Sequence, residues 1–106
     1  MSIEDLDPII HAPKRLVVMS ILASSVSSDF AFLRQHLEVS DSDISKQMAV
    51  LDKAGYVSII KSGRGRGSVT RYRITRAGRA AFERHIAALS SIVGKPAVTD
   101  GAQPMP

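Results

Sequence analysis

Between Ile59 and Arg79 the chain runs IIKSGRGRGSVTRYRITRAGR, which holds seven of its 14 arginines and lysines and no acid. Side chains of this kind can do one of two things: stand solvated around a surface turn, or pair with a polyanion. Arginine suits the second use, because its planar fork stays charged and meets a phosphate through two parallel hydrogen bonds. The net charge of +4 and pI near 9.9 are mild. The segregation is not mild, since the acids lie mostly before residue 53, and a local positive field selects polyanions better than a diffuse excess does.

Other chemistries find little foothold. The chain has no cysteine, which removes disulfides, thiolate catalysis and cysteine-containing metal sites. Its serines fall in no nucleophile-elbow pattern, no phosphate loop is present, and no carboxylate pair is placed for acid–base work. No catalytic residue, cofactor or metal is therefore expected. His11, His36 and His85 stand far apart without paired-ligand spacing. His85, with Glu83 or Arg84, is expected in a polar seam at a subunit contact, and His11 at the border of a break at Pro13.

The elements that must carry the basic run come next. At 106 residues and 44% apolar content the chain is one domain with a modest aliphatic core, to which a partner surface would add stability. No apolar run is long enough to span a membrane, and the start MSIEDLDPII carries acids where a signal peptide carries lysine or arginine, so a cytoplasmic protein is expected. Asp7-Pro8 opens a short turn, and Pro13 starts a first main helix over about 13–24. Ser27, Ser28 and Asp29 supply caps for a short second helix, about 29–37, with Phe30, Leu33 and Leu37 at helical spacing. Only Glu38, Val39 and Ser40 separate it from a third helix, so the two must cross steeply.

Ser40 and Asp43 form the S-x-x-D capping pattern of that third helix, and Gly55 is its expected terminator. Ile44, Met48 and Leu51 make its buried stripe, while Ser42, Ser45, Lys46, Ala49 and Lys53 face away. A β-hairpin follows: Val57 and Ile59 share one face of the first strand, Thr70, Tyr72 and Ile74 share a face of the second, and Arg71 and Arg73 lie opposite. The glycine-rich turn between them is expected to extend as a flap. Thr75 caps a last helix, about 76–93, with two apolar stripes. Phe82, Ile86, Leu89 and Val93 form one; Ala81, His85, Ala88 and Ile92 form the other and are assigned to a subunit contact. Residues 1–93 thus make one domain, and 94–106, rich in proline and glycine without periodicity, are expected to be a disordered tail.

Helix, helix, short turn, helix, basic hairpin, helix is an α+β arrangement, mainly α, of winged helix-turn-helix type with a two-stranded wing and a C-terminal dimerisation helix. The runs HAPKRLVVMSIL, SDSDISKQMAVLDKAGYV and TRYRITRAGRAAF resemble small winged-helix transcriptional regulators of the MarR and ArsR types over about residues 6–90. That resemblance implies a homodimer that binds an operator and regulates transcription. Such proteins often have glycine where Glu38 stands, so Glu38 is expected in a backbone conformation that suits glycine better.

The residues point the same way. A major groove about 12 Å wide admits one helix, best with a slim leading face. Ser42, Ser45 and Ala49 supply the slimness; Lys46 can reach a base edge or phosphate, Gln47 can hydrogen-bond nearby, and Ser40 with the helix N-terminus can hold a phosphate oxygen. Lys53 shares this face. Arg64 and Arg66, spaced by glycines, suit a minor groove, and Arg71 and Arg73 the flanking phosphates. Asp41 and Asp43 are expected as capping groups that balance the helix dipole. Ile3, Leu6, Ile9 and Ile10, with the second stripe of the last helix, are expected to build the dimer. The expected partner is double-stranded DNA, as a palindromic operator. Two other uses of the fold stay open: a basic wing that docks RNA or an acidic protein, and a small-molecule effector site between dimer helices.

Overall fold

A computed structural model of the chain describes residues 3–94; the tail expected at 94–106 lies, beyond Gly94, outside the described residues. A single 3-10 turn over Ile3–Asp5 precedes the Asp7 turn, in which the Asp7 carboxylate accepts from the backbone N–H of Ile9 at 2.8 Å and of Ile10 at 3.3 Å. Helix α1, Pro13–Ala23, then begins with proline at its first turn, where a missing N–H costs nothing. Helix α2 spans Phe30–Leu37, and the Asp29 side chain caps it by accepting from Phe32 N–H at 2.7 Å. Glu38 then takes φ 56° and ψ 47°, the left-handed conformation anticipated for it, and turns the chain into α3, Asp41–Lys53. Ser40 caps α3 by accepting from Asp43 N–H at 3.1 Å.

Three strands form an antiparallel sheet in the order β1-β3-β2, with β1 at Ser28–Asp29, β2 at Val57–Ser62 and β3 at Val69–Ile74. The hairpin registers Val57 on Ile74, Ile59 on Tyr72 and Lys61 on Thr70. Strand β1 adds to the expected two-stranded wing. Its two residues pair Ser28 with Tyr72 and Asp29 with Arg71, so Asp29 serves as both strand and cap. Two residues carry no alternation to read, and their serine-aspartate chemistry signals only the cap.

Val18, Met19, Leu22, Leu33, Ile44, Met48 and Leu51 meet Val57, Tyr72 and Ile74 in one core. Burying each large aliphatic side chain contributes about 1.5–3 kcal/mol. Helix α4, Arg76–Ile92, is capped by Thr75, which accepts from Gly78 N–H at 2.9 Å. It packs against α1 and the N-terminal 3-10 turn.

The two stripes of α4 depart from expectation in part: Phe82 packs against the core and Ile92 is exposed as expected, but other members change places. Ala81, His85 and Ala88 are buried inside the chain, as is Ile10, whereas Ile86, Ile92 and Val93 are exposed. The reason is steric: alanines, with Gly78, let α4 approach its neighbours closely. A Cβ on Gly78 would lie 2.1 Å from the Tyr56 carbonyl oxygen. The subunit contact assigned to Ala81, His85, Ala88 and Ile10 is therefore unavailable at those side chains. Of the other residues assigned to it, Leu6 and Ile9 are half-buried, while Ile3 and Ile92 remain exposed.

Candidate nucleic-acid interface

Helix α3 buries Ile44, Met48 and Leu51 and turns Ser42, Ser45, Lys46, Ala49 and Lys53 to solvent. Ser40 is exposed too, its oxygen engaged as the cap and 3.2 Å from the Ser42 hydroxyl. The chain passes from α3 into β2 through Gly55, at φ 81°, and Tyr56, whose N–H donates to Leu51 O at 3.0 Å. Helix α3 and the hairpin are thus adjoining parts of one unit, since α3 also packs on β2.

On the hairpin, Tyr72 and Ile74 are buried while Arg71 and Arg73 are exposed on the opposite face. Burial pushes the Tyr72 phenol above its ordinary range, so the ring stays neutral in the core. The turn between the strands does not extend as a flap. It closes on itself in a 3-10 turn, Gly65–Gly67, with Gly67 N–H donating to Arg64 O at 3.1 Å and Ser68 N–H to Gly65 O at 3.2 Å. Gly63, at φ 85°, makes the closure possible, because a Cβ there would meet Gly67 O at 2.7 Å. Arg64 is exposed on this compact tip; the side chain of Arg66 lies outside what the structure describes. Not all of the basic run is free, for Arg79 donates to Ala23 O at 3.1 Å and so caps the end of α1.

Three polar residues of α3 have partners the sequence did not disclose. Asp41 pairs with Arg34 of α2 at 2.8 Å. Asp43 pairs with Lys14 of α1, and hydrogen bonds from Lys14 and then Gln47 hold its carboxyl below the usual carboxylate range. Gln47, expected near DNA, has both ends of its amide engaged: the oxygen accepts from Arg15 at 2.7 Å and the nitrogen donates to Asp43 at 3.0 Å. The two acids at the helix start are therefore neutralised locally by cations from α1 and α2, which lowers their repulsion toward a phosphate. Spacing within α3 shows none of this, since each partner comes from another element.

The histidines differ most from expectation. His11 and His85, 74 residues apart, meet at 3.3 Å in a part-buried network with Asp7 and Tyr56, in which only His85 is fully enclosed, while His36 stacks on the exposed ring of Phe32. Among the described residues no group of three histidines, acids or cysteines is placed to hold a metal ion, and no helix is long and apolar enough to cross a membrane.

Comparisons with known proteins bear on the same surfaces. No curated protein matches the chain. Among solved structures, a transcriptional regulator homologue from Pyrococcus horikoshii OT3 is 22% identical, with a TM-score of 0.77 over 85% of this chain and 89% of that one. A possible transcriptional regulator for arsenical resistance is 26% identical, with a TM-score of 0.64 over 84% and 86%. NadR, solved in complex with 4-hydroxyphenylacetate, is 19% identical, with a TM-score of 0.62 over 83% and 70%. The winged helix DNA-binding domain model matches residues 14–93, from the start of α1 past the end of α4. With that match covering every element of the interface, the chain belongs to the winged helix DNA-binding domain family.

Proposed function

We propose that the protein is a sequence-specific transcriptional regulator that binds double-stranded DNA as a homodimer, with α3 in the major groove and the basic wing on the adjacent minor groove or backbone. The observation that carries this reading is the exposed face of α3, slim and cationic at Ser42, Ser45, Lys46, Ala49 and Lys53, joined directly to a hairpin whose outer face presents Arg71 and Arg73. Ser45 and Lys46 face the base edges, Arg64 and Arg66 the minor groove, and Arg71, Arg73 and the α3 N-terminus the phosphates. Gln47 acts from behind, by holding α3 in place.

Ile86, Ile92 and Val93 along the outside of α4, with Ile3, form the apolar surface for the second copy. A two-fold dimer places two α3 helices in successive major grooves about 10 base pairs apart, which calls for a palindromic operator. A shallow cleft lined by Ile3, Leu6, Pro8 and His11 borders that surface and could hold a small-molecule effector, a use in keeping with the ligand of the NadR neighbour.

The deciding experiment selects bound fragments from the source genome and titrates the best duplex against random duplex at several salt concentrations. With about six phosphates neutralised per protomer, log K should fall against log salt with a slope of about −5 for each protomer of the dimer. Binding no tighter to any genomic duplex than to random duplex favours the alternative, a basic wing that docks RNA or an acidic protein.

A further inference from the structure

His85 is fully buried, an unusual place for a histidine, and its ring has a defined proton arrangement. Asp7 N–H donates to its Nδ1 at 3.0 Å, so Nδ1 must be the bare nitrogen. The proton therefore sits on Nε2 and points at His11 Nδ1, 3.3 Å away. The first of these contacts requires the neutral ring. A second proton would turn Nδ1 into a donor facing the Asp7 N–H donor.

What the ring holds matters more than the ring itself. The turn it anchors, residues 7–11, touches α3 from both ends. Toward the C-terminal end, the Asp7 carboxylate accepts from the Tyr56 hydroxyl at 2.6 Å, and Tyr56 N–H closes on Leu51 O. Toward the N-terminal half, Ile9 O accepts from Arg15 Nε at 2.6 Å, the same guanidinium holds the Gln47 amide, and Gln47 holds Asp43. An unbroken path of hydrogen bonds thus joins the interior of α4 to the back of α3. The titratable groups that act on the ring are His11 and Asp7 of the turn, while Arg84 of α4 lines a shallow cleft with Glu4 and Asp5 of the 3-10 segment.

We propose that His85, acting through the Asp7 turn and Arg15, is a positioning residue for α3, and that only its neutral form holds α3 in the DNA-reading pose. The last clause rests on the DNA-binding reading above; the positioning path does not. Burial, then the neighbouring His11, depresses His85 below its ordinary value of 6.5. The unfolded chain then binds more protons than the folded one, so the contribution of His85 to stability is complete above pH 6.5 and declines as the pH falls through the depressed value.

The test follows the full-length protein by NMR from pH 7.5 to 5, reading the His85 ring, amide exchange at Ile9 and Ile10, and the Gln47 side-chain amide. All should change along the His85 titration. Arg15→Lys, which keeps the charge and loses the fork, should leave the turn following His85 but uncouple Gln47. A second arm uses the genomic duplex: affinity should drop about fivefold as the pH falls through the His85 titration at constant salt. Added positive charge alone would strengthen binding to a polyanion, so the sign separates the two effects. His85→Gln, whose amide oxygen can accept from Asp7 N–H without titrating, should flatten the drop. The proposal is overturned if His85 titrates while Gln47 and the turn stay unchanged, or if duplex affinity rises as His85 is protonated. Absence of tight binding to any duplex at any pH would sink the DNA reading and with it the last clause, leaving the NMR result to judge the path.

Discussion

The two sides of α3 are built on opposite rules. On the solvent side, Ser45, Lys46 and Lys53 make no hydrogen bond or ion pair with another described residue, and the arginines of the β3 outer face are likewise unengaged. On the inner side, beyond Ile44, Met48 and Leu51, nearly every polar group is spoken for: Asp43 by Lys14, Gln47 by Arg15, Tyr56 by Asp7, and Asp7 by His85. A surface that must meet another molecule keeps its donors free, and a surface that must hold a pose uses them up. Net contributions of single internal hydrogen bonds are only about 0.5–1.5 kcal/mol, so the inner network acts less through total stability than by fixing one orientation of α3.

That contrast can be broken at several points. Leu51→Ala, on the inner side, should lower unfolding free energy by about 2–5 kcal/mol in urea denaturation. Removing both Arg64 and Arg66 should leave the melting temperature within a degree or two and bring the salt slope per protomer from about −5 toward −3. An unchanged slope would take the wing tip out of the interface. Lys46→Ala should cost about three- to tenfold in affinity for the selected duplex, alter sequence preference and spare random duplex. Ile92→Glu, on the outside of α4, should shift sedimentation toward the monomer; an unaffected dimer would move the subunit contact off this helix. Smallest in effect, Glu38→Gly should raise stability by about 1 kcal/mol, because a left-handed conformation burdens a residue with a Cβ. A loss there would mean that the Glu38 side chain contributes something the backbone does not reveal.

Much of this architecture is legible in the residues because its signals are local. Ser40 and Thr75 announce their helices through cap chemistry, Gly55 marks the end of α3, and alternation along VTRYRI separates Tyr72 and Ile74 from Arg71 and Arg73. What escapes is whatever depends on a partner from elsewhere in the chain. Periodicity shows that α4 has two apolar stripes, yet not which one faces inward; the decision lies with Gly78, Ala81 and Ala88 as a close-packing surface. Spacing within α3 cannot show that Gln47 is already held, and no interval rule connects His11 with His85 across 74 residues. β1 is two residues long and hides behind the capping role of Asp29.

Gly78 bears on something larger than local fit. Its missing side chain lets α4 start flush against the Tyr56 carbonyl, at the joint between α3 and β2. In the proposed dimer α4 also carries the surface shared with the second copy, so the offset at residue 78 fixes how far apart the two halves of the assembly read. Half-site spacing would then be written into the protein as the thickness of a hydrogen atom, and a larger residue there would act as a shim that mistunes the assembly to its operator even where each half still folds.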